Sequence, residues 1–350
     1  MGRESRSSMS GRGGGQIRGS PEMNAMPQMQ LLAAVLAALL CGVGLAEEDP
    51  YAPKPPVPEG CKLIEGDIIV PLDFGCDSGG RGTSATFRTT NWWPGGVVPY
   101  TFDSNVDATN RSRAIAAMAE WEAVANVDFV ARSGEADYIH IQNSTENSSW
   151  VGRQGGKQVV NIASWTARFV IAHELCHALG FWHEQSREDR DTYIRINWEN
   201  IEDAKEHNFD KETGSMNYGT YDFDSVMHYG QCAFVSGCNC PASCTAITVK
   251  DPWHDQWQNA IGQRDHLSNL DIIGMQVVYP RPGDVFCDAS YTGAIKIGTL
   301  VYPFKTFPPA AATVPVGGRV ILKSGTYSGS AGVYTKAMTL RAPLGGVLLK

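Results

Sequence analysis

Apolar positions along the chain fall into distinct regimes. Residues 1–28 are rich in Gly, Ser and Arg with no apolar period, whereas 31–40, LLAAVLAALL, are apolar throughout. Residues 47–60 are rich in Pro and Glu and read as an exposed linker. A short patterned piece, KLIEGDIIVPLDF at 62–74, precedes the Gly/Ser/Arg stretch DSGGRGTSATFRTT at 77–90, an accessible place for a processing cut. From Trp93 the structure signals become dense. VVPYTFD at 97–103 alternates as a strand does. RSRAIAAMAEWEAVA at 111–125 predicts a helix, with apolar Ile115, Met118 and Trp121 at near-helical spacing. VDFVA and DYIHIQ (137–142) predict two further strands, the second as a cleft edge that binds an extended peptide by β-addition. Residues 166–180 predict a helix closed by Gly180, which suits a left-handed C-terminal turn. TYIRINW begins another strand at Thr192. Pro280-Arg281-Pro282-Gly283 marks a domain boundary, and beyond it short Val/Ile/Leu runs alternate with Gly-containing turns.

The ten-residue run at 31–40 is too short to cross a bilayer as a helix. Gly44-Leu45-Ala46 supplies small residues for signal peptidase, so cleavage after Ala46 is expected, with Met29 a candidate true start. Residues 1–46 are therefore read as an N-terminal extension and signal peptide that carry Cys41 away with them. No stable membrane insertion is expected. A formal net charge of −8 argues against nucleic acid as a partner, since phosphate binding needs a basic face. Export makes the remaining cysteines potential disulfide partners: Cys61, Cys76, Cys176, Cys232, Cys238, Cys240, Cys244 and Cys287. Cys232, Cys238, Cys240 and Cys244 crowd together as a stapled loop; their spacing lacks a clean pair of CxxC knuckles, which favours disulfides over a structural zinc. Asn110, Asn143 and Asn147 stand in glycosylation sequons.

The chemistry concentrates at 173–191, HELCHALGFWHEQSREDRD. His173 and His177 are four apart on the predicted helix, so both imidazoles leave one face about one turn apart. Gly180 lets the chain turn sharply and return His183 as a third ligand. Three neutral histidines leave Zn²⁺ an open position, the arrangement of a catalytic rather than a closed structural site. Glu174 lies on a neighbouring face, placed to take a proton from the attacking water. Cys176 differs in helical phase from the histidines and reads as a small buried residue.

HELCHALGFWHEQSREDRD resembles the extended signature of the astacin family of metzincin peptidases at every fixed position. TYIRINWENI at 192–201, DSVMHYG at 224–230 and IGQRDHLSNLDI at 261–272 continue the likeness, which runs from about Trp93 to Tyr279. The resemblance implies an α+β catalytic domain: a twisted, mainly β sheet, an active-site helix, and a cleft between two subdomains. It implies a secreted zinc metalloendopeptidase acting on internal bonds of protein or peptide substrates, with one Zn²⁺ per domain. Met227 would belong to the family's Met-turn, although such a residue also suits a core. Tyr229 matches the tyrosine that ligates zinc at rest and swings away to stabilise the tetrahedral intermediate. Without the likeness it reads as a packed aromatic. Glu184 matches the acid that holds the new N-terminus, and otherwise reads as a solvated charge. Arg187, Asp189 and Arg190 look like a structural ion-pair network. IEGDI at 64–68 resembles the family's propeptide switch, which makes Asp67 the candidate latency ligand, with a mature start near Ser84 and a trypsin-like cut at Arg81.

The implied layout is 1–46 extension and signal, 47–83 propeptide, 84–280 peptidase and 281–350 an incomplete all-β module that looks like the opening of a right-handed β-helix. That module is a candidate for carbohydrate or surface attachment by analogy of fold. The chain departs from animal astacins at Asn126, near Tyr279, and around Ser148 and Ser164, where the family's disulfide cysteines are expected, and so resembles a divergent or bacterial-type astacin. A catalytically silent binding protein on the same scaffold is the alternative; such a protein would commonly lose Glu174 or a ligand histidine, and neither is lost.

Overall fold

The computed structural model of the chain describes residues 53, 57–72, 91–213, 216–300, 302–342 and 346–350. The signal segment, Cys76, Arg81 and Ser84 lie outside the described residues. Among the described residues no helix is long and apolar enough to cross a membrane.

The piece at 62–74 folds as a hairpin of β1 (Cys61–Ile64) and β2 (Ile68–Pro71), its turn made by Glu65 (φ 47°) and Gly66 (φ 77°) in the left-handed region. The expected strand at Val97 is β3 (Val97–Phe102), and the helix after it, α1, runs Ala108–Val124. Asp107 caps α1 by accepting from Asn110 N at 2.7 Å. Its buried stripe is Ala114, Ala117, Met118 and Trp121. Ile115 departs from the expected apolar face and is 49% exposed, because it stands about a quarter-turn off that stripe.

Next come β4 (Asp128–Ala131), β5 (Tyr138–Asn143), β6 (Ser148–Trp150) and β7 (Lys157–Ile162). They assemble with the hairpin into one mixed sheet of order β1-β2-β6-β7-β5-β3-β4. The expectation that DYIHIQ forms the cleft edge is overturned. β5 is paired on both sides, parallel to β3 and β7, and its Ile139 and Ile141 are fully buried. The short strand β6 is the last of the sheet before the hairpin, and β2 pairs with it in parallel through Ile68–Ser149 and Ile69–Trp150.

Helix α2 spans Arg168–Ala178 and packs under the sheet. Trp121 of α1 donates from Nε1 to the Ala172 carbonyl at 2.9 Å, tying the two helices together. Gly180 follows with φ 111°, the left-handed turn its position called for. The lower part holds an antiparallel pair, β8 (Ile194–Ile196) with β9 (Ile247–Val249), and between them the stapled loop. Disulfides Cys232–Cys240 and Cys238–Cys244 confirm the staple, while among the described residues Cys61, Cys176 and Cys287 are unpaired. Helix α3 (Asn269–Val278) closes this part behind a capping box of Ser268 and Asp271.

Hydrogen bonds occupy the places of the missing staples. Asn126 N donates to Tyr279 O, and Asn126 Nδ2 to Gly95 O, each at 3.0 Å. Asn147 Oδ1 accepts from Ala163 N and Ser164 N at 2.9 and 3.0 Å, and Asn147 Nδ2 donates to Ser164 Oγ at 3.0 Å.

Beyond Pro280 the strands β10 (Asp284–Cys287), β11 (Arg319–Leu322) and β13 (Thr339–Arg341) form a parallel ladder, as do β12 (Gly325–Tyr327) and β14 (Val347–Leu349). The segment is not all-β. A short helix, α4 (Phe307–Thr313), is seeded by prolines in its first turn and buries Phe307, Ala310 and Ala311 against the ladder. Phe286 and Ile321 reach into the main core, so the segment is packed onto the peptidase part.

Candidate metal centre

Helix α2 carries His173 and His177 one turn apart, and the turn at Gly180 brings back His183. Their Nε2 atoms converge: His173 to His177 is 3.1 Å and His173 to His183 is 3.2 Å. The opposite ring nitrogens fix the tautomers. Nδ1 of His173 faces the Val226 carbonyl at 2.8 Å, and Nδ1 of His177 faces the Phe181 carbonyl at 2.7 Å. A carbonyl only accepts, so both Nδ1 atoms carry the proton and both Nε2 lone pairs are bare. Nδ1 of His183 bonds the Glu65 carboxyl at 2.7 Å. Bare lone pairs this close repel one another unless a cation lies among them, and tetrahedral ligands about 2.0–2.1 Å from an ion stand about 3.3 Å apart. Burial, then the Arg264 charge, pushes His173 down to about 3, and burial lowers His177 as well. These imidazoles are neutral and ligand-competent at ordinary pH.

Asp67 supplies the fourth corner. Its Oδ2 is 3.2 Å from His173 Nε2, and its Oδ1 is 3.2 Å from His183 Nε2 and 3.6 Å from His177 Nε2. The four side chains form the one metal-ligand cluster found among the described residues. A carboxylate and three imidazoles suit Zn²⁺ in charge, donor type and spacing.

A peptidase family model described as Astacin matches residues 85–280. The chain belongs to the astacin family. It is 39% identical over 232 residues to an astacin-like metalloendopeptidase of Mus musculus, covering 63% of this chain and 49% of that protein. It is 39% identical over 205 residues to tolloid-like protein 1 of Homo sapiens, covering 57% of this chain and 20% of that protein. The chain thus spans half or less of the length of these relatives. A solved structure of high choriolytic enzyme 1, a hatching enzyme zinc-protease from Oryzias latipes, shares 37% identity at a TM-score of 0.48, over 52% of this chain and 88% of that one.

The astacin motif's other residues take varied positions. Glu174 is buried with Oε2 unpartnered, and burial followed by the Asp67 charge raises its carboxyl well above the usual range. Met227 is buried in the core, in the turn whose Val226 carbonyl holds His173. That turn is itself fixed by Asp271, which accepts from Val226 N at 2.8 Å and Ser225 Oγ at 2.6 Å. Tyr229 comes from the same turn, and its hydroxyl donates to the Glu65 carbonyl rather than meeting the histidine cluster. Burial, then the Asp67 and Glu65 charges, keeps its phenol protonated. Glu184 is not the solvated charge of the plain reading. It is buried, and its Oε1 accepts from Asp222 N at 2.7 Å and Arg187 Nη1 at 3.2 Å. Arg187 also forks onto Asp189 with two bonds of 2.8 Å, as expected, whereas Arg190 stands apart from that network, donating to the Gln185 carbonyl at 2.8 Å and facing Asp191 at 3.5 Å.

Three residues beside the metal cluster escape a reading by motif: Glu65, Phe234 and Arg264. Glu65 is buried between His183 and Tyr229, and its only sequence signal is adjacency to the Gly66-Asp67 pair. Phe234 sits in the stapled loop. Arg264 belongs to the segment IGQRDHLSNLDI and anchors to the His228 carbonyl at 3.0 Å. All three line a cavity of about 610 Å³ with Glu174 and Tyr229.

Proposed function

We propose that this chain is an exported zinc metalloendopeptidase, made as a latent precursor, that hydrolyses internal bonds of protein substrates. The observation that carries it is the convergence of three Nε2 atoms, with those of His173 and His177 bare, beside buried Glu174, whose Oε2 is unpartnered, at the wall of a cleft. Zn²⁺ held by His173, His177 and His183 would supply Lewis-acid polarisation of the scissile carbonyl and acidify water. Glu174 takes the proton of the attacking water and returns it to the leaving amine. Its burial, which raises the carboxyl above the usual range, favours its holding the proton between the two transfers. Tyr229, a neutral phenol, donates to the oxyanion that develops on the carbonyl.

Latency rests on the hairpin turn. Asp67 occupies the open corner of the ligand set, the Glu65 carbonyl draws the Tyr229 hydroxyl aside, and β2 covers β6, where an extended substrate would pair. After a cut near Ser84, Glu184 is the partner for the new ammonium. Glu184, Asp222 and Asp271 line one small buried pocket with a single guanidinium, Arg187, and all three carboxyls are raised by burial. A cation arriving there relieves that strain. Export is supported by the short apolar run at 31–40 and by the two disulfides. The parallel ladders beyond Pro280 are read as coils of a β-helix-like module interrupted by α4.

Casein cleavage by the processed protein tests the reading. A chelator is expected to abolish it, zinc to restore it, and Glu174→Gln to lower kcat by about two to four orders of magnitude. Cleavage by Glu174→Gln at the parent rate overturns the mechanism.

A further inference from the structure

We propose that Phe234 is a positioning residue for Tyr229, and that the doubly stapled loop 232–244 serves to hold it in place. The Tyr229 ring is walled by aromatic edges. Phe209 stands 5.6 Å from it at 84° and Phe234 5.8 Å at 61°, while Phe209 and Phe234 meet each other at 6.1 Å and 87°. The His183 ring lies 4.5 Å away on another side. Edge-to-face contacts of this kind fix a ring's orientation without a hydrogen bond.

The loop keeps Phe234 there against local preference. Phe234 has φ 55°, a left-handed conformation that a bulky L-residue adopts only when its surroundings impose it. Those surroundings are on both flanks. Its carbonyl accepts from Glu202 N at 3.1 Å, Ser236 N donates to Asn200 O at 3.0 Å, and Val235 bridges to Ile201. Cys232–Cys240 and Cys238–Cys244 close the rest of the loop.

The same ring polices what enters beneath it. A Cβ at Gly66 would come within 2.5 Å of Phe234 Cζ and 3.2 Å of the Tyr229 hydroxyl, so only glycine passes under this wall in the inhibitory turn. When that turn leaves, the Tyr229 hydroxyl loses the Glu65 carbonyl, its one acceptor here. The aromatic walls are then what restrain the ring. Phe209 is fully buried in the lower core and cannot be removed cleanly, whereas Phe234 is only half-buried on a loop. Phe234 is therefore the wall that a substitution can test.

This inference rests on the reading of Tyr229 as the oxyanion donor, and a double-mutant cycle separates the two. In the processed enzyme Phe234→Ala is expected to lower kcat about tenfold, with KM within about twofold, and Phe234→Leu to recover most of the loss. Zinc content is expected to match the parent, with the variant still folded at the assay temperature. Combined with Tyr229→Phe, Phe234→Ala should cost nothing further, because the group it positions is gone. Losses that multiply in the double variant, or an effect on KM alone, overturn the proposal. If Tyr229→Phe itself leaves kcat unchanged, the reading of Tyr229 fails, and the proposal with it. Should Phe234→Ala not fold, the pair Cys238→Ser and Cys244→Ser runs the same cycle through the loop, with the same non-additive result expected.

Discussion

If the hairpin turn confers latency as proposed, replacing Asp67 by alanine separates the blocking of the metal site from the docking of the strand that carries the block. The carboxylate stands 3.2–3.6 Å from three imidazole nitrogens, with its Oδ1 otherwise unpartnered. With the His173 and His177 lone pairs bare, the carboxylate would be held through a shared Zn²⁺ rather than by hydrogen bonds to them, and the range for a charge-assisted hydrogen bond, about 1.5–3 kcal/mol, serves as a floor for that contact. At about 1.4 kcal/mol per factor of ten, its loss opens the site roughly ten- to a hundredfold more often. Strand β2 nevertheless stays in place. Ile68 and Ile69 are fully buried and Val70 nearly so, each contributing about 1.5–3 kcal/mol. The main-chain bond from Ser149 N to Asp67 O at 2.8 Å is also indifferent to the side chain. Asp67→Ala is thus expected to give a leaky precursor that is still folded over the cleft. Ile69→Ala, at about 2–5 kcal/mol, is expected to release the strand itself. Initial rates on a quenched fluorescent peptide read the leak, and hydrogen exchange at β2 reads the docking. An Asp67→Ala precursor as silent as the parent, with β2 equally protected, would refute Asp67 as the blocking ligand.

Two further outcomes concern stability. Trp121→Phe keeps an aromatic ring between the helices but removes the bond to Ala172 O and some volume, so a loss of about 1–3 kcal/mol is expected by denaturant titration; an unchanged midpoint would show that α1 and α2 are coupled elsewhere. Burial, then the charges of Asp271 and Glu184, pushes Asp222 up to about 8 in the precursor. An acid with a raised folded pKa keeps a proton that the unfolded chain releases, so this contribution is full at low pH and is lost as pH rises toward about 8. Asp222→Asn is expected to flatten the fall in melting temperature between pH 5 and pH 8, and a slope equal to the parent's would exclude Asp222 as its source.

The elements legible in the sequence are those whose own period decides them. Helix α2 and its terminating glycine are readable because ligand spacing, helix pitch and the left-handed turn are local properties of 166–180. Helix α1 is legible as a helix but not in its phase. Its buried stripe is built on Ala114 and Ala117, whose small side chains let Trp121 reach α2, so ranking positions by hydrophobicity picks Ile115 instead. Strand β5 has the composition of any half-buried strand, and nothing in it says that two parallel neighbours will cover both edges. Edge or centre is decided by topology, which a single strand does not encode.

The site divides along the same line. Three candidate ligands and Glu174 lie within one short segment and are readable as a set, as is Phe181, whose carbonyl faces His177, whereas other groups that govern them arrive from far away in the chain. Val226 fixes the His173 tautomer across 53 residues, and Glu65 reaches His183 across 118. A motif can report such partners only when the family has already named them, as with Asp67 and Tyr229; Glu65 and Phe234 have no such label. Their roles follow from a shared physical demand. A turn entering a site this crowded needs glycine at its apex, a buried carboxyl to meet His183 Nδ1, and a rigid wall above it. The polar contacts at Asn126 and Asn147 answer to the same logic in the scaffold. They join segments where the family's cysteines are absent, and both disulfides among the described residues close the loop that carries Phe234 against Tyr229. Among the described residues, the cross-links fall where a residue is held against its backbone preference rather than in the main core.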